Sequence, residues 1–262
     1  MPSEAGMEKL HADLLVLLKE FHKLCVENDI KYSLHGGSLL GAIREKGFIP
    51  WDDDIDVTMT RENYEKFRHY MNTENTNMDI ALDEVNEGCY VLYMKGISGK
   101  NIWIDILIYD YISENWLAQK IKFLMLVFFL GWLKTKNTMQ VAKVGKFAGW
   151  KYYLIYMLYM LGKPVSRPKK NKIRDYVAAN FLCGSQKLMV RSNDQYIALK
   201  LYISKEAIFQ YQIVEFEDMK AMIHAGYDAI LRSSYGEDYM KPIRIDESHK
   251  KAHDIKQEGM NL

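Results

Sequence analysis

One stretch of the chain limits its fold more than any other. Residues 35–59 read HGGSLLGAIREKGFIPWDDDIDVTM, with a Gly-Gly-Ser triplet at the start and four aspartates in the run 52–56 near the end. From Asp54 onward, polar and apolar residues alternate, which is the period of a half-buried β-strand. Because residues two apart share a face of a strand, we expect Asp54 and Asp56 to project together while the apolar residues face a core.

Two carboxylates on one face of a strand indicate a cation site. Adjacent carboxylates repel each other unless a cation lies between them, and hard oxygen ligands favour Mg²⁺ or Mn²⁺ where the substrate is a phosphate. Asp54 and Asp56 are therefore candidate metal ligands. The alternative is an acidic loop that caps a helix, but these aspartates lead into an alternating strand.

The Gly-Gly-Ser triplet is a candidate anion site. A short β-prone stretch, 32–34, precedes it, and residues 39–44 are predicted to form a helix. A strand, a glycine turn and a helix N-terminus together present backbone N–H groups to an anion. Gly37 would allow a phosphate to approach closely, and Ser38 would add a hydroxyl donor, although an ordinary turn has the same sequence. Arg44 follows, and it can contact a phosphate or pair with a nearby carboxylate.

Two segments of the chain resemble a known family. The run GSLLGAIREKGFIPWDDDIDV is similar to the signature of the LicD family, phosphotransferases related to fukutin and fukutin-related protein. The pattern of Phe216-Glu217, Tyr227-Asp228 and 235–240 also resembles the C-terminal part of that family, but after Met240 the usual Pro-Pro is replaced by Pro-Ile-Arg. The roles of His249 and His253 are left open.

The resemblance implies an α+β fold of the nucleotidyltransferase type shared with polymerase β, in which a mixed sheet is flanked by helices. It implies that Gly37 and Ser38 hold the donor phosphate and that Asp54 and Asp56 hold a divalent metal, with two ions in the complete site. In that fold a third carboxylate lies on a neighbouring strand, and Asp105 in the apolar stretch 101–108 fits this place. The alternative is that Asp105 is bonded to backbone amides.

The resemblance further implies an enzyme whose donor is CDP-choline or another CDP-alcohol, such as CDP-ribitol or CDP-glycerol. Phosphocholine would pass to a hydroxyl of a surface glycan or its lipid-linked precursor, and CMP would leave. One alternative is a nucleotidyltransferase that attaches a nucleoside monophosphate and releases pyrophosphate. Another is a non-catalytic, membrane-associated assembly module.

Charge is distributed unevenly along the 262 residues. The formal net charge is +1, yet residues 116–174 contain thirteen Lys or Arg and no Asp or Glu. We therefore predict three parts: a catalytic core over 1–115, an inserted basic, apolar helical segment over 116–174, and a C-terminal part over 175–262 that completes the catalytic domain. Nucleic acid is not an expected partner.

The basic segment contains two short apolar stretches, 123–133 and 150–161, each too short to span a bilayer as a helix. They predict two helices that lie at an anionic membrane surface, complete the core, or form a dimer interface. The N-terminus lacks the apolar region of a signal peptide, and the three widely spaced cysteines do not suggest a disulfide framework. We expect a cytoplasmic enzyme that is peripheral on the inner face of the cytoplasmic membrane.

Overall fold

The structure is a computed structural model that describes residues 4–75, 79–84, 90–96, 101–136, 139 and 150–242. The chain forms two compact units. The first comprises residues 1–83, 91–106 and 207–262, and the second comprises 84–90 and 107–206. The predicted basic segment, 116–174, lies inside the second unit, while the three-part division of the sequence stays a prediction. His249 and His253 lie outside the described residues.

The described part of the chain contains both helices and strands. The helices are α1 (Glu4–Glu27), α2 (Gly36–Arg44), α3 (Arg61–Thr73), α4 (Trp116–Trp132), α5 (Trp150–Gly162), α6 (Arg167–Asn180), α7 (Lys205–Phe209) and α8 (Tyr227–Tyr235). The strands are β1 (Ser33–His35), β2 (Ile55–Thr60), β3 (Ile80–Glu84), β4 (Tyr90–Lys95), β5 (Asn101–Ile112), β6 (Leu188–Arg191), β7 (Ile203–Ser204), β8 (Tyr211–Phe216) and β9 (Met219–His224).

The sheet of the first unit places β2 beside β5. Its strand order is β1-β2-β5-β4-β3, and β1 and β2 are antiparallel, with His35 opposite Asp56. A separate antiparallel hairpin consists of β8 and β9. The predicted arrangement of a sheet flanked by helices is confirmed. Neither strand of the hairpin was predicted from the sequence.

Apolar side chains that recur along helices and strands form the core of the first unit. On α1, the side chains of Leu14, Leu17, Leu18, Phe21 and Cys25 are buried, so this helix presents one apolar face to the unit. On β2, Ile55, Val57 and Met59 are fully buried, as predicted. The prediction of a half-buried strand is wrong, because Thr58 and Thr60 on the other face are buried as well.

One helix boundary differs from the prediction. Helix α2 begins at Gly36 rather than after Ser38, so the Gly-Gly-Ser triplet forms the first turn of the helix instead of a separate turn. Gly36 has a φ of +55°, a left-handed conformation that glycine adopts without a steric penalty. The chain therefore changes direction directly from β1 into α2.

The second unit is built on buried cations as well as apolar contacts. Lys122 on α4 is fully buried, and its Nζ donates hydrogen bonds to the carbonyl oxygens of Tyr111 at 2.5 Å and Ala178 at 2.7 Å. Helices α4 and α5 pack closely at Gly131, where a Cβ would lie 2.6 Å from the Leu158 side chain. Both predicted helices of the basic segment are thus present. Among the described residues, no helix combines the length and the apolar composition needed to cross a bilayer.

Candidate active site and metal centre

Three carboxylates meet on the sheet of the first unit. Asp54 immediately precedes β2, Asp56 is the second residue of β2, and Asp105 lies on the neighbouring strand β5. Each offers a carboxylate oxygen, and these oxygens lie within 4.8 Å of one another. The structure therefore brings together the three residues that the sequence analysis named as metal ligands.

The donor set fits a divalent cation. Asp54 and Asp56 are half-buried, and Asp105 is only 6% exposed, between the buried residues Ile104 and Ile106. Removing carboxylates from water while placing them side by side is unfavourable, and a cation among them relieves both the repulsion and the desolvation. Carboxylate oxygens alone, with no nitrogen or sulfur ligand, match the preference of Mg²⁺ or Mn²⁺. Their role as metal ligands stays a prediction.

A second acidic group shares Asp54. The carboxylates of Asp52, Asp53 and Asp54 also lie within 4.8 Å of one another. Burial, together with repulsion by Asp54 and Asp53, raises the pKa of Asp52 to about 8. Asp52 was not named as a site residue, although its place in the acidic run was a signal for it. A cation bound here would return the pKa of Asp52 toward its ordinary value.

The glycines of α2 make room for the aspartates. A Cβ on Gly36 would lie 2.6 Å from Oδ2 of Asp56, and a Cβ on Gly37 would lie 2.1 Å from Oδ2 of Asp52. The backbone at the start of α2 therefore lies directly against both acidic groups. Any larger residue at position 37 would displace the Asp52 carboxylate.

Ser38 connects α2 to β2. Its side chain is buried, and its Oγ accepts a hydrogen bond from the backbone N–H of Asp56 at 3.2 Å. A hydroxyl that accepts one bond still carries a hydrogen to donate. The predicted donor-phosphate residues Gly37 and Ser38 thus lie beside the carboxylates, and their contact with phosphate stays a prediction.

Arg44 pairs with a carboxylate in this structure. Its Nε donates to Oε1 of Glu45 at 2.6 Å, and its side chain is 9% exposed. This is one of the two roles that the sequence left open for it. A contact between Arg44 and the donor phosphate stays a prediction.

The loop that delivers the aspartates is held by contacts that sequence analysis missed. The ring of His11 stacks on Phe48 with centroids 4.3 Å apart, and its Nε2 donates to the Asp52 carbonyl oxygen at 2.7 Å. The carboxylate of Glu217 accepts from the Phe48 N–H at 2.9 Å. No local pattern reveals these contacts, because they join residues 37 to 169 positions apart.

A buried histidine supports β2 from the hairpin. His224 is fully buried, and its ring Nε2 lies 3.1 Å from Oγ1 of Thr58. Its backbone N–H donates to Oγ of Ser33 at 2.9 Å. Burial lowers the pKa of His224 to about 3, so its imidazole is neutral at physiological pH. Hairpin β8–β9 is thereby bonded to β1 and to β2, the strand that carries Asp56.

Comparison with known proteins agrees with this geometry. The model of the LicD/FKTN/FKRP nucleotidyltransferase domain matches residues 29–124, which include all three carboxylates of the site. The chain is 33% identical over 258 residues to the lipopolysaccharide cholinephosphotransferase LicD of Haemophilus influenzae, covering 87% of this chain and 88% of that protein. An uncharacterized protein of Rickettsia typhi is 41% identical over 64 residues, covering 24% of this chain and 21% of that protein. A likeness of this extent to a LicD protein shows that the chain belongs to the LicD family.

Proposed function

We propose that this chain is a metal-dependent phosphotransferase that moves phosphocholine from CDP-choline onto a hydroxyl of lipopolysaccharide or its lipid-linked precursor, with release of CMP. The observation that supports it best is the group of three carboxylates within 4.8 Å on neighbouring strands of a LicD-family domain. The printed name of the Haemophilus relative supports phosphocholine as the transferred group and lipopolysaccharide as the acceptor.

Asp54, Asp56 and Asp105 would hold Mg²⁺ or Mn²⁺. When bound, one or two such ions neutralise phosphate charge and stabilise the attacking and leaving oxygens of an in-line displacement. The three carboxylates fix the place of that charge before the substrate arrives, because their backbones belong to adjacent strands. This preorganisation is where most of the rate acceleration in phosphoryl transfer originates.

The first turn of α2 would bind the donor phosphate. Gly37 exposes backbone at the helix N-terminus, where N–H groups and the helix dipole favour an anion. Ser38 can donate its hydroxyl hydrogen while accepting from the Asp56 N–H. Arg44, at the other end of the helix, would reach a phosphate only by leaving Glu45.

The transfer forms one bond and breaks one. The acceptor oxygen bonds to the choline-bearing phosphorus, and the bond from that phosphorus to the CMP oxygen breaks. The acceptor hydroxyl loses its proton, and Asp105 would orient that hydroxyl or take the proton. Because Asp105 is buried, it can act only on an acceptor that enters the site.

We also propose that the enzyme works as a peripheral protein on the inner face of the cytoplasmic membrane. A lipid-linked acceptor and the thirteen basic residues of 116–174 support this location. Basic residues attract the anionic lipids of that surface.

The test is phosphorus NMR of the protein with CDP-choline, Mg²⁺ and lipopolysaccharide. We expect CMP and a new phosphodiester signal, and neither should form with Asp56→Asn. Turnover with CDP-ribitol or CDP-glycerol alone would keep the mechanism and change the donor. Pyrophosphate from a nucleoside triphosphate, with no turnover of any CDP-alcohol, would overturn the proposal in favour of a nucleotidyltransferase. Failure to turn over any donor or to bind Mn²⁺ would favour a non-catalytic assembly module.

A further inference from the structure

Helix α4 is apolar on two opposite sides. One side packs into the second unit through Leu126 and Phe129, which are buried. Four large side chains on the other side recur every three or four residues and are exposed, namely Leu117, Ile121, Leu124 and Phe128. A surface helix normally has a polar face opposite its buried one, so this second apolar side is unusual for a helix that faces water.

Helix α5, which packs on α4, also exposes large apolar and aromatic side chains. Its exposed large side chains are Trp150, Tyr153, Leu154, Tyr156, Met157, Met160 and Leu161. The two helices contact each other at Gly131 and Leu158. We use the term apolar face for the exposed residues of α4 and α5 given in this and the preceding paragraph.

Some basic residues of the segment 116–174 are buried and others are exposed. Lys122, Lys170 and Arg174 are buried and bond to groups of their own unit. Lys120 and Lys163 are exposed, and their ammonium groups lie 4.4 Å from the Trp116 ring centroid and 5.2 Å from that of Tyr159. Lys122, Lys170 and Arg174 therefore bond within the unit, whereas Lys120 and Lys163 remain at its surface.

We propose that the apolar face lies in the interfacial region of a bilayer that contains anionic lipid, with α4 and α5 parallel to the surface. Apolar side chains would enter the boundary between headgroups and acyl chains, Trp and Tyr would lie at headgroup level, and the exposed lysines would contact lipid phosphates. This inference assigns a membrane-binding surface to the proposed enzyme. It rests on the proposed function only for the purpose of that binding, which is to reach a lipid-linked acceptor.

The charge of the segment favours lipid over a second copy of the chain. A symmetric dimer would place the same patch on both sides of the interface. Exposed lysines would then meet lysines, since residues 116–174 contain no Asp or Glu. An anionic lipid surface supplies the opposite charge together with apolar volume.

The experiment is flotation of the full chain with vesicles of phosphatidylcholine plus phosphatidylglycerol, and of phosphatidylcholine alone, at low and high salt. We expect binding to the anionic vesicles that weakens with salt. The double variant Leu124→Gln/Met157→Gln should bind them about tenfold less tightly or worse. The matched control is Ile197→Gln, which changes an isoleucine that is 76% exposed in the same unit but outside the apolar face.

Three outcomes would overturn the proposal. The wild type could fail to bind anionic vesicles at either salt concentration, or the control could lose as much vesicle binding as the double variant. The wild type could also be a dimer that does not bind vesicles, with the double variant monomeric. Thermal unfolding of the double variant should match that of the control. Transfer to a delipidated oligosaccharide acceptor should also be unchanged in the double variant. If the wild type lacks transfer but floats, the proposed function fails while the surface assignment stands.

Discussion

The two units of this chain arrange their charged side chains in opposite ways. The first concentrates acids, because β2 and β5 bring Asp54, Asp56 and Asp105 within 4.8 Å at the sheet. The second buries cations singly and bonds each to its own partners, as Lys122 is bonded to two carbonyl oxygens. The first arrangement fits the proposed cation site, whereas in the second the ammonium group of Lys122 is bonded to groups of its own unit.

This difference separates a candidate catalytic charge from a structural one. Like charges gathered on adjacent strands reduce stability unless something binds them, so the chain gains from them only through a ligand. A buried lysine that donates to backbone carbonyls stabilises the fold and contributes nothing to a reaction. Substitutions in the two groups should therefore affect different measurements.

The largest effect is expected at the carboxylates. Asp54→Asn removes a charge from the proposed metal site and should lower the rate of phosphocholine transfer by about a thousandfold, with the fold retained. Initial rates and thermal unfolding would be measured on the same samples. Asp218→Asn is the control, because this acid is exposed and pairs with Lys19 at the surface. Full activity of Asp54→Asn would refute the site.

The opposite result is expected for Lys122→Met in the second unit. The substitution leaves the carbonyl oxygens of Tyr111 and Ala178 without their donor, so the free energy of unfolding should fall by about 3 kcal/mol. Urea unfolding measures this loss. Specific activity per folded molecule should be unchanged, and a large fall in kcat would contradict the division between the two units.

A substitution at Gly37 tests how closely α2 fits the acids. Gly37→Ala places a Cβ 2.1 Å from the present position of Asp52 Oδ2, so this carboxylate must move. We expect transfer to fall by about a hundredfold through misplacement of the site. Gly236→Ala is the control, since no atom lies within 4 Å of its added Cβ, and strain at its φ of +85° should reduce stability alone. Equal rates for the two variants would show that the fit at Gly37 is unimportant.

The smallest effect is a pH dependence in the first unit. The pKa of His224 is about 3 in the folded chain and 6.5 in the unfolded chain, so only the unfolded chain gains a proton as the pH falls below 6.5. Stability from this residue is complete above pH 6.5 and declines toward pH 3, by about 2 kcal/mol between pH 7 and pH 5. Urea unfolding of the wild type and His224→Gln at both pH values measures this difference. Equal pH dependence in the two proteins would contradict the assignment.

The sequence predicted the residues of the site better than the contacts that hold them in place. The period-two pattern after Asp54 and the acid in an apolar strand at Asp105 are local signals, and the structure places both residues together. The hairpin that carries Glu217 and His224 was not predicted. Its contacts with Phe48, Thr58 and Ser33 join residues more than 160 positions apart, and periodicity within a short window contains no information about them.

The start of α2 shows a second limit of local patterns. Gly-Gly-Ser is typical of a turn, yet tertiary contacts place these residues in the helix, where Gly36 and Gly37 touch the carboxylates of Asp56 and Asp52. Gly37 was predicted to let a phosphate approach closely, and that contact stays a prediction. The group that approaches the two glycines in this structure is a carboxylate of the chain itself.

Titration with Mn²⁺, followed by electron paramagnetic resonance of the free ion, tests whether the clustered acids of the first unit form a metal site. We predict that the wild type binds Mn²⁺, that Mg²⁺ competes for the same site, and that Asp54→Asn, Asp56→Asn and Asp105→Asn each weaken binding by about tenfold or more. Asp110→Asn, on the same strand but bonded to Ser192, should bind as the wild type does. Undiminished Mn²⁺ affinity in the first three variants would contradict the metal site and the transferase mechanism derived from it.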